Sequence, residues 1–94
     1  GLGVPFNIAS YAFLTHLVAH HCNLQATQLV HFLGNVHIYD DHLEILDLQK
    51  DRIPNEPPTI NIKNKYDSID DYKFEDFEIN NYIPHAELKM NMRK

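Results

Sequence analysis

A single cysteine, Cys22, occurs in 94 residues. That excludes an intramolecular disulfide and makes a reducing compartment, the cytoplasm, the expectation. Basic residues are scarce, with 8 Lys and Arg against 13 Asp and Glu and a formal net charge of −5. A generic basic face for duplex DNA is therefore not expected. No apolar run approaches the ~20 residues that a membrane helix requires, so no bilayer span is expected either. Gly1 is followed by no basic n-region and no small-residue cleavage site, the marks of a signal peptide. The chain does not begin with methionine, so Gly1 need not be the natural start. Internal repeats and low-complexity tracts are absent.

The composition is 44% hydrophobic and 22% charged, which suits a packed domain rather than a disordered one, and the length bounds the chain to one domain. Hydrophobicity is unevenly spread. Residues Val4 to Asn23 read as a helix, with Pro5 in the first turn, where its missing N–H costs nothing, and Asn23 as a stop. Phe6, Ile8, Tyr11, Phe13, Leu14, Leu17 and Val18 surround almost the whole cylinder. A helix apolar on all sides belongs at the centre of a larger body, and a chain this short cannot wrap one ~25–30 Å long. Part of the core is expected to come from elsewhere.

Residues Gln28 to Tyr39 alternate as a strand does. Leu29, His31, Leu33, Asn35, His37 and Tyr39 fall on one face, and Val30, Phe32, Gly34, Val36 and Ile38 on the other. A second helix is expected from Asp40–Asp41 to Lys50, with capping-box spacing between Asp41 and Glu44. A proline-rich loop, Ile53 to Pro58, precedes a short strand at Thr59 to Lys63. Ser68 is placed to cap a helical turn at Ile69 to Tyr72. Phe77 to Tyr82 reads as another strand, and Pro84 onward as an extended tail.

Several constellations carry chemistry. His16 and His20 have the i, i+4 spacing of metal ligands, with His21 and Cys22 nearby, but the Glu of His-Glu-x-x-His is missing. Hydrogen-bonded, packed histidines fit better. Cys22 follows no base or glycine elbow and reads as a buried, inert thiol. Asn7, near a helix start, either caps its own helix, the reading favoured by the local pattern, or turns its carboxamide to a planar ligand edge. Asn35, His37 and Tyr39 form a row suited to a sugar hydroxyl or a phosphate, or else mark a strand emerging into solvent. The acidic run Asp67 to Glu78 reads as solvated surface docked by Phe74 and Phe77.

Longer motifs resemble the thymidylate synthase family. They are Gly1-Leu2-Gly3-Val4-Pro5-Phe6-Asn7-Ile8-Ala9-Ser10-Tyr11, then His31-Phe32-Leu33-Gly34-Asn35-Val36-His37-Ile38-Tyr39 with Asp41-His42. Ile69-Asp70-Asp71-Tyr72, Glu75-Asp76-Phe77 and Tyr82-Ile83-Pro84-His85 follow, and Lys89-Met90-Asn91-Met92 matches the family's C-terminal end. The likeness covers all 94 residues in order.

It implies an α/β (α+β) fold, with a central buried helix packed on a mixed β-sheet. Residues 1–94 would then be the C-terminal third of a single domain. The nucleophilic cysteine and the phosphate-binding arginines are implied upstream, in a protein either free or fused to dihydrofolate reductase. The implied reaction is reductive methylation of dUMP to dTMP, with 5,10-methylenetetrahydrofolate giving both the one-carbon unit and the hydride. Alternatives are a dUMP hydroxymethylase of the same superfamily and a truncated, non-catalytic binding module. By resemblance Asn7 reads the uracil edge, and His37 with Tyr39 holds the deoxyribose 3′-hydroxyl. Leu2, Gly3 and Phe6 line the folate site, and Lys89, Met92 and Arg93 lie in a tail closing over it. A homodimer is implied. The chain departs from the family at its end, Arg93-Lys94 in place of small or aliphatic residues, and in the loop Pro54 to Pro58.

Overall fold

A computed structural model describes residues 1–92. Helix α1 spans Gly3–His21. Pro5 sits in its first turn, where backbone N–H groups have no partner inside the helix. The far end closes as a Schellman motif. Asn23 adopts φ 57°, its N–H donates to His20 O at 3.3 Å, and Leu24 N–H donates to Ala19 O at 2.7 Å. Asn23 is thus the stop that its side chain suggests.

Residues 28–39 depart from expectation. They form no ladder, and a bend interrupts them at Gly34-Asn35. Alternation assigns faces to a strand but supplies no neighbour to bond, and among the described residues no strand lies alongside. A 3₁₀ turn at Asp40–His42 then leads into α2, Leu43–Lys50. No capping box forms between Asp41 and Glu44; the Asp41 N–H is bound by Asp40 Oδ1 at 3.0 Å instead.

Strands β1, Thr59–Ile62, and β2, Phe77–Asn80, pair antiparallel, with Thr59 opposite Asn80 and Ile62 opposite Phe77. The sheet among the described residues is therefore two-stranded and antiparallel. Between the strands Ser68 Oγ accepts from Asp70 N–H at 3.2 Å and caps the turn Ile69–Asp71.

Asp76 joins these pieces. It is 5% exposed, although it stands in the run expected to be solvated. Its Oδ1 accepts from Asn64 Nδ2 and from Tyr66 OH, each at 2.8 Å, and Oδ2 accepts from Lys73 N–H at 2.8 Å. Its own carbonyl accepts from Lys63 N–H at 2.8 Å, just past β1. Tyr66 meets Tyr72 edge-on at 5.0 Å, Tyr72 meets Phe77 at 6.3 Å, and Phe13 of α1 meets Phe77 at 4.7 Å between ring centroids. Phe77 docks as expected. Phe74 is 90% exposed and does not, because its turn is held through Asp76.

Helices and a sheet are present, an α/β fold, but the core is open. No hydrophobic residue is buried among the described residues, and none of α1 is. The accessible surface is 8250 Å², against about 5,600 Å² for a folded protein of this mass. The radius of gyration is 16.4 Å, against about 12 Å for a compact domain of this length. An apolar groove of about 490 Å³ runs between α1 and the sheet, lined by Ala9, Ala12, Phe13, Ile60 and Ile79. The helix has the character of a central helix, and this chain covers it on one side.

Hydrogen bonds from Lys73, Asn64 and Tyr66 hold the Asp76 carboxyl below its ordinary range. A lowered folded value means that these bonds contribute fully above about pH 3.9, the unfolded value, and fade as pH falls through the folded one. Asp76→Asn is expected to lower the melting temperature of the protein at pH 7. The gap to wild type is expected to narrow below about pH 4, which thermal melts across that range will measure.

Candidate functional site

The two ends of α1 live in different surroundings. Its C-terminal end is tied down: His20 Nε2 lies 2.8 Å from Asn64 O, and His21 Nδ1 lies 3.2 Å from Tyr72 OH. These are hydrogen-bonded histidines, and no group of three or more potential metal ligands occurs among the described residues. Cys22 is exposed rather than buried, because the Schellman turn carries it off the helix.

The N-terminal end borders a cleft of about 400 Å³. Leu2, Gly3 and Asn7 line it from the helix side, His37 and Tyr39 from the extended segment, His42 from the 3₁₀ turn and Met92 from the tail. Local geometry explains the grouping. Gly3 and Asn7 are i, i+4 and share a helix face, while Phe6, about 100° round the helix from Asn7, is 78% exposed and does not line the cleft. His37 and Tyr39 are two apart in extended chain and share a side. Asn7 stands well inside the helix, Leu2 is the N-cap, and no side-chain cap bond forms there, so Asn7 does not cap its own helix. Lys89 is exposed and does not line the cleft. Arg93 lies outside the described residues.

The lining is neutral but rich in hydrogen-bonding groups: a carboxamide, a phenol and imidazoles beside a small apolar wall. No Asp, Glu, Lys or Arg lines it among the described residues. Such a surface discriminates donors from acceptors and packs a flat face, but supplies no fixed charge of its own.

His42 entered the sequence reading only as a motif residue, with no role. It is 1% exposed, its Nε2 lies 2.6 Å from Asn91 O, and its ring meets that of Tyr39 edge-on at 5.2 Å. One signal was available: His42 precedes Leu46 by one helical turn, which places it on the inward side of α2. The tail is fastened farther back. Arg52 Nη1 donates to Ala86 O at 2.8 Å, Asn55 Nδ2 to Ile83 O at 2.7 Å, and His85 Nε2 to Ile53 O at 2.8 Å.

Comparison with known proteins gives a consistent result. The sequence profile of the family described as thymidylate synthase matches residues 1–94. The chain is 50% identical over 96 residues to the thymidylate synthase of Candida albicans and 50% identical over 92 residues to that of Homo sapiens. It is 45% identical over 92 residues to the bifunctional dihydrofolate reductase-thymidylate synthase of Plasmodium berghei. Each match covers 98% of this chain, but only 30%, 29% and 16% of those proteins respectively. The chain thus spans less than a third of the length of these relatives.

The two glycines at the cleft predict opposite responses. A Cβ on Gly1 would lie 2.9 Å from Met90 Sδ and 3.3 Å from Leu46 Cδ2, whereas one on Gly3 meets nothing within 4 Å. Gly1→Ala is expected to cost about 1 kcal/mol. Gly3→Ala is expected to be neutral or stabilising by up to ~0.5 kcal/mol in denaturant titrations.

Proposed function

The chain belongs to the thymidylate synthase family, and from that membership we propose that it forms part of an enzyme converting dUMP to dTMP by reductive methylation. The observation that supports this most is the convergence of Asn7, His37 and Tyr39 on one cleft beside Leu2, Gly3 and Met92. These groups match the chemistry of a nucleotide next to a flat, apolar-walled partner.

The Asn7 carboxamide offers an acceptor and a donor in one plane. Its carbonyl accepts from uracil N3–H and its NH₂ donates to O4, a pattern that cytosine does not offer. His37 and Tyr39 supply hydrogen bonds to the deoxyribose 3′-hydroxyl. Methylenetetrahydrofolate supplies the one-carbon unit and the hydride. Leu2 and Gly3 wall its ring site, and the tail that carries Met92 closes over it; Phe6, Lys89 and Arg93 are assigned to the same site by the family motif alone. Closure excludes water and fixes the two substrates in register.

The remaining machinery is assigned upstream of Gly1. Cys22 lies ~22 Å along the helix from Asn7, too far to attack a base held there. We therefore place the cysteine whose thiolate adds to uracil C6, making C5 nucleophilic, in the preceding part of the protein. The uncharged lining leaves the phosphate to arginines from elsewhere. The open apolar groove and the excess surface are what a segment of a larger domain displays. A homodimeric, cytoplasmic enzyme is the form inferred. No helix among the described residues is long and apolar enough to cross a membrane.

The full-length protein is expected to release tritium from C5-labelled dUMP in a folate-dependent reaction. No such release overturns the reading, and a product heavier than dTMP by one oxygen converts it to a hydroxymethylase. Asn7→Ala is expected to reduce kcat/KM for dUMP by about 10–100-fold, the loss of one or two hydrogen bonds to the base. Asn7→Asp is expected to lose dUMP turnover and gain activity on dCMP, measured by product mass with each nucleotide.

A further inference from the structure

His42 is the most deeply buried side chain of the described residues, and the proposed reaction gives it no task. Its contacts define one. A carbonyl only accepts, so the 2.6 Å approach of Nε2 to Asn91 O places the ring proton on Nε2. Asp41 Oδ1, 4.0 Å from the same nitrogen, favours that placement too. Nδ1 is left as an acceptor, and it has no hydrogen-bond partner among the described residues. It abuts Gly1, whose added Cβ would stand 3.4 Å away. The ring edge contacts Tyr39.

These contacts lie where three chain segments meet at the cleft. Tyr39 is three residues before His42, in the wall. Asn91 immediately precedes Met92, which lines the mouth. Gly1 leads directly into Leu2 and Gly3. Backbone carbonyls in extended tails normally bond to water, so a buried imidazole donor singles out Asn91 as an attachment point.

We propose that His42 is a positioning residue that latches the C-terminal segment onto the cleft, with Nε2–H gripping the Asn91 carbonyl and the ring braced on Tyr39. His42 lies at the cleft but is 1% exposed, so it acts on the bound molecules through Tyr39 and Met92. It sets where Met92 lies over the cleft, and it carries the position of Tyr39 to the tail. A ligand that orders Tyr39 therefore orders the tail, and a docked tail steadies Tyr39. This proposal rests on the folate-closing role given to the tail above.

The test uses the full-length protein with three replacements. His42→Phe keeps an aromatic ring against Tyr39 but has no donor. His42→Gln keeps an amide donor near the Nε2 position. His42→Met serves as the donorless variant should the phenylalanine fail to fold. Expected for the donorless variant is a folate KM raised about tenfold with dUMP KM within twofold of wild type, and carboxypeptidase release of the tail faster by a similar factor. His42→Gln is expected to restore both to within threefold. Unchanged folate KM and tail release in a folded donorless variant overturn the latch. So does an equal loss of kcat and melting temperature in both variants without a shift in folate KM, the mark of a packing role alone. Absence of folate-dependent turnover in wild type would instead defeat the functional reading. The tail-release rates then decide the latch by themselves, faster release from the donorless variant upholding it and equal release overturning it.

Discussion

One carboxylate organises the ordered half of this chain. Asp76 binds the end of β1, the turn beyond it, and the backbone that leads into β2. A charge held this far from water costs free energy unless it is met by donors, and here each oxygen is met. Two of the donors, Asn64 and Tyr66, lie ten or more residues back, beyond β1, so their bonds tie the segment after β1 to the start of β2 and bring Tyr66, Tyr72 and Phe77 together. That aromatic group seats Phe13 at the middle of α1, and His20 and His21 fasten its C-terminal end. The helix is therefore clamped at its far end, and its near end, with Gly3 and Asn7, is carried to the cleft as a rigid arm.

Against that anchoring stands a large uncovered apolar surface. Val4, Ile8, Tyr11, Leu14 and Val18 all remain exposed along α1. Scattered apolar side chains are ordinary on a protein surface, but a continuous helix of them is not. The family relatives are more than three times as long as this chain, or six times for the bifunctional one. The two facts agree: an uncovered apolar helix is found in a chain that spans less than a third of the length of its relatives.

Legibility in the sequence followed how local the cause was. Helix α1, its Asn23 stop, the Ser68 cap and both strands follow from neighbours within a few residues, and they stand within two residues or so of the expected ends. Residues 28–39 were not legible, since period-two alternation is satisfied equally by a paired strand and by extended chain without a partner. The shared side of His37 and Tyr39 survived that error, because it depends on alternation and not on pairing. Asn7 was misjudged from local pattern alone, as a cap, because the helix begins four residues earlier, at Gly3. Asp76 was hidden among like residues: nothing in an acidic run marks which member turns inward. His42 was hidden because its partner, Asn91, lies far along the chain and bonds through backbone, which leaves no trace in side-chain identity.

The fastening of the tail to the proline-rich loop limits what the last residues can do. Arg52, Asn55 and His85 hold the chain as far as Ala86, so the stretch from Glu87 to Met92 is a leash. Fully extended, it reaches roughly 20 Å. Met92 can stray no farther than that from Ala86, and a tether this short keeps its local concentration near the millimolar range, however dilute the protein. Docking is then a question of a small loop-closure entropy. A single added hydrogen bond is enough to tilt it, and a single lost one is enough to let it go.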